Sequence, residues 1–177
     1  MPETPALPAG SEYGKSYEYG LDLDTSATDT PAWQAVRRMF NFVPSPAAIT
    51  QSAQTYDDFG APNEDVTGHS WSVAFSVYVS RAAGVLPPEL AALFDRTRPE
   101  SKGSAATIKA RWYHKPENDE MIDTTDAFEG VATVGITRAN TGPDGTNEMW
   151  NVTLTGKGPH KSITNPWAGW EEDEGGL

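Results

Sequence analysis

Apolar and polar residues alternate along several stretches of the chain, which is the pattern of β-strands with one buried and one wet face. The clearest stretch covers residues 70–81, where apolar side chains occupy every second position from Trp71 to Val79. At about 3.3 Å per residue such a strand is about 40 Å long, twice the usual length. Shorter alternation predicts further strands over residues 17–24, 33–39, 107–114, 128–140 and 148–157.

One segment, residues 86–98, has helical periodicity instead. Its apolar stripe includes Leu90 and Leu93, and Pro87 and Pro88 suit a first turn, where a missing N–H group costs little. The pattern as a whole predicts a mainly β fold of six or seven strands with one α-helix.

The first predicted strand separates its side chains sharply by type. Glu18, Asp22 and Asp24 share the face opposite Tyr17, Tyr19, Leu21 and Leu23. We therefore expect the tyrosines and leucines to be buried and the three acids to lie in water.

Residues 41–68 show the least regular pattern in the chain. Prolines and glycines interrupt this segment, and Tyr56, Asp57, Asp58 and Phe59 combine aromatic with acidic side chains. The segment is predicted to be a long loop with at most a short strand near residues 49–55. Because long loops inside compact domains are usually functional, it is a candidate contact surface.

The ends of the chain differ from its centre in composition. Residues 1–14 are rich in proline and glycine and predict a flexible arm, residues 15–160 form the β domain, and residues 161–177 form a tail that ends in an acidic run. Trp167 and Trp170 lie in this tail outside any periodic element. Tryptophans in such a position usually dock, either on their own domain or on a neighbour.

Composition narrows the function classes. The chain has 177 residues, no cysteine and a net charge of -12, which argues against binding nucleic acid through its phosphates. No stretch is long and apolar enough to span a bilayer, and the start of the chain does not have the pattern of a signal peptide. The three histidines lack metal-ligand spacing, and no nucleophile motif or phosphate-binding loop is present. We therefore expect no catalytic residues, no metal and no cofactor, and a protein that is not an enzyme.

Taken together, several segments resemble the major tail proteins, or tail tube proteins, of long-tailed bacteriophages of the siphovirus type, especially phages of actinobacteria. Each motif is loose, and the order and spacing of the segments make the resemblance specific. The segments are residues 19–24, 55–60 with 66–68, 70–81, 111–116, 126–130 and 150–158.

This resemblance implies two antiparallel sheets packed as a sandwich or flattened barrel, with one flanking helix. It implies hexameric rings that stack into a hollow tube in the virion tail, assembled in the cytoplasm of the bacterial host. A tape measure protein would fill the tube, tail tip and terminator proteins would bind its ends, and DNA would pass through the lumen at ejection without specific binding.

Two hypotheses about sites follow from the resemblance. The segment 41–68, with Tyr56, Asp57, Asp58 and Phe59, would stack one ring on the next. The acidic face of Glu18, Asp22 and Asp24 would line the lumen and repel DNA.

Other functions also fit the strand pattern. A head–tail connector or a capsid decoration protein shares the β-rich composition and the lack of catalytic motifs. A carbohydrate-binding module would use Trp167 and Trp170 as its sugar-stacking residues.

Overall fold

A computed structural model of the chain describes residues 13–117 and 120–170. The described residues form a mainly β fold with one α-helix, as the alternation predicts, but with eight strands rather than six or seven. The strands are β1 (Tyr19–Asp24), β2 (Trp33–Ala35), β3 (Met39–Ser52), β4 (Glu64–Tyr78), β5 (Thr107–His114), β6 (Ala127–Ala139), β7 (Met149–Gly156) and β8 (Lys161–Ser162), and the helix is α1 (Pro88–Arg96).

Hydrogen bonds join all eight strands in one antiparallel sheet, rather than in the two separate sheets that the resemblance implies. The order is β2-β1-β5-β6-β7-β4-β3. Strand β8 pairs with the start of β6, on the same edge of β6 that pairs with β7 farther along. The sheet curls until β3 approaches β1, where the rings of Tyr19 and Phe42 lie 5.2 Å apart. Curling lets a single sheet bury one face against itself.

The core lies inside this curl and follows the predicted alternation of β4 and β7. Val73, Val77, Trp150 and Leu154 are fully buried, and α1 adds Leu93 to the same cluster. The helix begins two residues later and ends two residues earlier than predicted, at Pro88 and Arg96. The curled sheet and α1 form the body of the protein.

Two glycines make room for the central tryptophan of the body. The Trp71 ring stacks on Trp112, with ring centroids 4.9 Å apart, and its Nε1 donates a hydrogen bond to the Gly158 carbonyl oxygen. A Cβ added at Gly130 or Gly156 would lie 2.4 Å from the Trp71 ring. Because no side chain tolerates such a distance, these positions need glycine.

The prediction of a long loop over residues 41–68 is wrong for most of that segment. Residues 41–52 belong to β3 and residues 64–68 to β4, and these strands pair from Met39 with Val77 out to Ser52 with Glu64. Pro44 and Pro46 are tolerated in β3 because it is an edge strand with β4 as its sole hydrogen-bonded neighbour, so that a missing N–H breaks no ladder.

Candidate assembly surfaces

A two-stranded hairpin projects beyond the body, and we call residues 47–70 the arm. Strand β4 pairs with β7 over residues 72–78 and with β3 alone over residues 64–70. Those seven residues of ribbon are about 23 Å long at 3.3 Å per residue. Along the arm Ile49 and Val66 are about half exposed, at 49% and 57%.

The arm carries its most exposed side chains at its end, residues 55–60, which we call the tip. Asp58 accepts hydrogen bonds from the Thr55 backbone N–H at 2.6 Å and from the Asn63 side-chain amide at 3.2 Å. These hydrogen bonds, first of all those from Thr55, hold the pKa of Asp58 below its usual value. The carboxylate therefore closes a single turn of 3-10 helix at residues 56–58.

This turn directs the two aromatic side chains of the tip into water. Tyr56 and Phe59 are fully exposed, and Phe59 has a left-handed backbone with φ of 49°. A left-handed conformation is unusual for a bulky residue and is a sign of local strain. The structure thus brings the four predicted residues together, with Asp58 holding the turn while Tyr56, Asp57 and Phe59 face outward.

The prediction of a wet acidic face on β1 is wrong. Glu18, Asp22 and Asp24 are only 4–6% exposed. Strand β5 covers Asp22, which accepts hydrogen bonds from Arg111 at 2.7–2.8 Å and from the Tyr113 hydroxyl at 2.9 Å. Buried carboxylates with such partners stabilise the fold, so that the solvent exposure on which the lumen hypothesis depended is missing.

Each of the other two acids is also bonded inside the chain. Asp24 accepts hydrogen bonds from the backbone N–H groups of Ser26 and Ala32, both at 2.9 Å. One Glu18 oxygen accepts a bond from the Lys15 N–H at 2.8 Å. The partners of these two acids are near in the sequence, whereas those of Asp22 come from β5, and alternation along β1 alone reveals neither.

The tail tryptophans dock on their own domain, which was one of the two predicted alternatives. Asn165 anchors the segment by donating hydrogen bonds to the carbonyl oxygens of His114 and Asp123 at 2.8 and 2.9 Å. The Lys115 ammonium lies 4.5 Å from the ring centroid of Trp167 and 4.3 Å from that of Trp170. The Trp170 Nε1 donates a 2.8 Å bond to the Pro116 carbonyl.

Beside this docked segment lies an open cleft of about 520 Å³, which we call the aromatic cleft. Its walls are Tyr17, Tyr19, Lys115, Pro116, Glu117 and Trp170. The prediction that both tyrosines are buried is wrong, since Tyr17 is 62% and Tyr19 38% exposed. Strand β1 begins only at Tyr19, so that these two residues lie where the core ends.

One wall of the cleft is fixed by an ion-pair cluster. Lys15 donates to Glu117 at 2.6 Å and to Glu120 at 2.8 Å, which raises the pKa of Lys15. The Tyr17 hydroxyl donates to Glu117 as well.

The other side of the cleft is cationic. Burial lowers the pKa of Lys115, and the positive charge of Arg37 nearby lowers it further. Of these two cations Lys115 lines the cleft, together with the Glu117 carboxylate, and Arg37 does not.

The described residues show neither of two other kinds of site. Across residues 13–117 and 120–170, no cluster of three or more His, Asp or Glu side chains is placed to hold a metal ion. In the same ranges no helix has the length and apolarity to cross a membrane. Most of the N-terminal segment 1–14, which was predicted to be flexible, and the acidic run 171–177 lie outside the described residues.

Comparison with known proteins adds no family to these observations. No model of a known protein family matches the chain, and no curated protein matches it either.

Proposed function

We propose that this protein is a structural subunit that assembles with copies of itself. Within that class, we propose the subunit of the tail tube of a long-tailed bacteriophage, built from stacked hexameric rings. The observation that carries the proposal is the arm, a ribbon with exposed apolar and aromatic side chains in which, among the described residues, β4 pairs only with β3 over residues 64–70.

The argument from the arm rests on the weakness of isolated hairpins. Two paired strands in water are marginally stable, and a third strand or a packed surface is needed for independent stability. Here Ile49, Val66, Tyr56 and Phe59 present apolar surface away from the core. A second copy that covers this surface would supply the missing burial.

Charge supports a tube that conducts DNA rather than binds it. A subunit of net charge -12 repels phosphates, so that DNA can slide without adhering. Because Glu18, Asp22 and Asp24 are buried, the repelling charges would have to be other acids. The tape measure, tail tip and terminator partners, and the place of the protein in the virion tail, belong to this same proposal.

Negative-stain electron microscopy of the concentrated recombinant protein tests the assembly. Stacked rings or hollow tubes are expected. Single rings that never stack would favour a head–tail connector, and trimers would favour a capsid decoration protein.

A deletion tests the part played by the tip. Removal of residues 57–62 should leave a folded body, because the tip contributes nothing to the core, and should abolish tubes. Normal tubes from the deletion variant would refute the role of the tip.

The aromatic cleft favours one further candidate function. Exposed rings of Tyr17, Tyr19 and Trp170 beside polar groups are the arrangement that stacks on sugars. Carbohydrate binding would then use Trp170 but not Trp167, which does not line the cleft. A glycan array with a Trp170→Ala control distinguishes this function from self-assembly.

A further inference from the structure

The tip and the aromatic cleft are chemically complementary surfaces of the same chain. The tip offers two fully exposed rings, Tyr56 and Phe59, with the exposed carboxylate of Asp57 between them. The cleft offers three partly exposed rings and the Lys115 ammonium. Aromatic pairs and a desolvated ion pair are the groups that dominate binding energy at protein interfaces.

Size is compatible with this pairing. A volume of about 520 Å³ lies within the range of about 300–1,000 Å³ that buries small ligands. Aromatic side chains of the tip are ligands of that scale. The short turn that Asp58 closes presents both rings from a narrow support, which an open cleft can admit.

Strand β3 shows where the two surfaces lie. Tyr19, in a wall of the cleft, packs on Phe42, three residues after β3 begins at Met39 and next to Val43, which pairs with Ala74 in the body. The tip follows the other end of β3, beyond the pair of Ser52 with Glu64. The cleft and the tip therefore lie toward opposite ends of β3.

This placement determines how copies would meet. The tip of a chain is fully exposed and so does not occupy the cleft of its own body. A copy with the same orientation, displaced along the direction in which the arm projects, brings its cleft toward this tip. Contacts of this head-to-tail type close into rings when the rotation between copies allows it and otherwise build an open filament.

We propose that the tip of one copy docks into the aromatic cleft of a neighbouring copy, with Asp57 facing Lys115. This inference rests on the proposed self-assembly and names the contact that would link the subunits. Tyr56 and Phe59 would pack against Tyr17, Tyr19 and Trp170.

The acidic run 171–174 of the chain itself is the main competing occupant. It follows Trp170 directly and would pair with the Lys115 ammonium. However, it contains no aromatic residue, and the cleft is walled largely by rings. The tip supplies both a carboxylate and aromatic side chains, which is why the structure favours the tip.

Cysteine cross-linking tests the contact directly, because the natural chain has no cysteine. Two single variants, Asp57→Cys and Lys115→Cys, are mixed, allowed to assemble and oxidised. A covalent dimer is expected in the mixed sample and in neither variant alone. A mixture of Asp57→Cys with Val85→Cys, which places the second thiol at an exposed site outside the cleft, is the matched control.

Charge exchange gives an independent readout on the same pair. Asp57→Lys and Lys115→Glu should each lower the assembled fraction about tenfold, because each places like charges together. The double variant should regain most of it, since the pair is restored in reverse. Circular dichroism verifies that every variant is folded before assembly is measured.

The outcomes separate the inference from the function on which it rests. Wild-type protein that forms no rings or tubes overturns the proposed function, and the inference falls with it. Wild-type rings without the mixed cross-link, and with no rescue in the double variant, overturn the inference alone. In that case residues 171–177 are removed and the reactivity of Lys115 toward amine reagents is measured. A higher reactivity than in the wild type shows that the acidic run occupies the cleft.

Discussion

The body and the arm share strands β3 and β4 but differ in how these strands are paired and buried. In the body, β4 has neighbours on both sides and buries Val73 and Val77 completely. Seven residues earlier the same strand has one neighbour, and Val66 is 57% exposed. Strand β4 is thus a core element at one end and an exposed ribbon at the other, so that one hairpin contains both a buried and an exposed part.

The largest expected effect is in the body. Trp150→Ala removes a fully buried ring that stacks on Phe94, with ring centroids 6.0 Å apart. We expect the free energy of unfolding to fall by about 3–5 kcal/mol, from lost burial and the cavity left behind. Urea denaturation followed by circular dichroism measures it. Trp170→Ala, at a half-exposed site, is the control, and an equal loss there would contradict the comparison.

The glycines give the next largest contrast. Gly130→Ala places a Cβ 2.4 Å from the Trp71 ring and should destabilise the body by about 1–3 kcal/mol. In the arm, Gly68→Ala meets nothing nearer than Ile49 at 3.9 Å, so that a change within about 0.5 kcal/mol is expected. Thermal unfolding of the two variants decides between them. Similar melting temperatures would show that the arm is as tightly packed as the body.

Acid should weaken the body through Asp24. Burial alone raises the pKa of Asp24, but hydrogen bonds from Ser26 and Ala32 outweigh it and bring the pKa below the ordinary 3.8. The folded state therefore binds this proton less readily than the unfolded state. The resulting stability is present above pH 3.8 and is lost as the pH falls through the folded pKa.

The variant Asp24→Asn isolates this contribution. Denaturation midpoints measured from neutral pH downward should show a shallower acid dependence for the variant than for the wild type. Asp57→Asn at the tip is the matched control, because that carboxylate is exposed and is not part of the body. An unchanged slope in Asp24→Asn would contradict the role of Asp24.

The sequence predicted the body better than the arm for a physical reason. Alternation in β5 and β7 reflects burial of one face, and these strands were found within one residue of the predicted bounds. Strand β4 was predicted over residues 70–81 from the same pattern, but it begins six residues earlier, at Glu64, and ends at Tyr78. Residues 47–70 have no buried face, and their sequence therefore lacks the alternation that predicts a strand. Pro44 and Pro46 then suggested a loop, although an edge strand accepts them.

The sites show the same division between local and distant information. The tip could be identified from its aromatic and acidic residues, because one short segment contains all of them. The aromatic cleft could not, since Tyr17, Lys115 and Trp170 come together only in the folded chain. Likewise, nothing near Asp22 in the sequence shows that Arg111 and Tyr113 cover it.

The smallest expected effect on stability belongs to the tip. Removing two fully exposed rings in the variant Tyr56→Ala with Phe59→Ala should change the free energy of unfolding by no more than about 0.5 kcal/mol. Met121→Ala removes another exposed apolar side chain, outside the arm, and serves as the matched control. Urea denaturation of the three proteins checks that their bodies are equally stable.

Sedimentation velocity of these three proteins at high concentration tests most directly the claim that the body folds the chain and the arm assembles it. The account predicts large assemblies for the wild type and for Met121→Ala, and a folded single subunit for the double tip variant. Assembly of the double tip variant to the same size and extent as the wild type would contradict it.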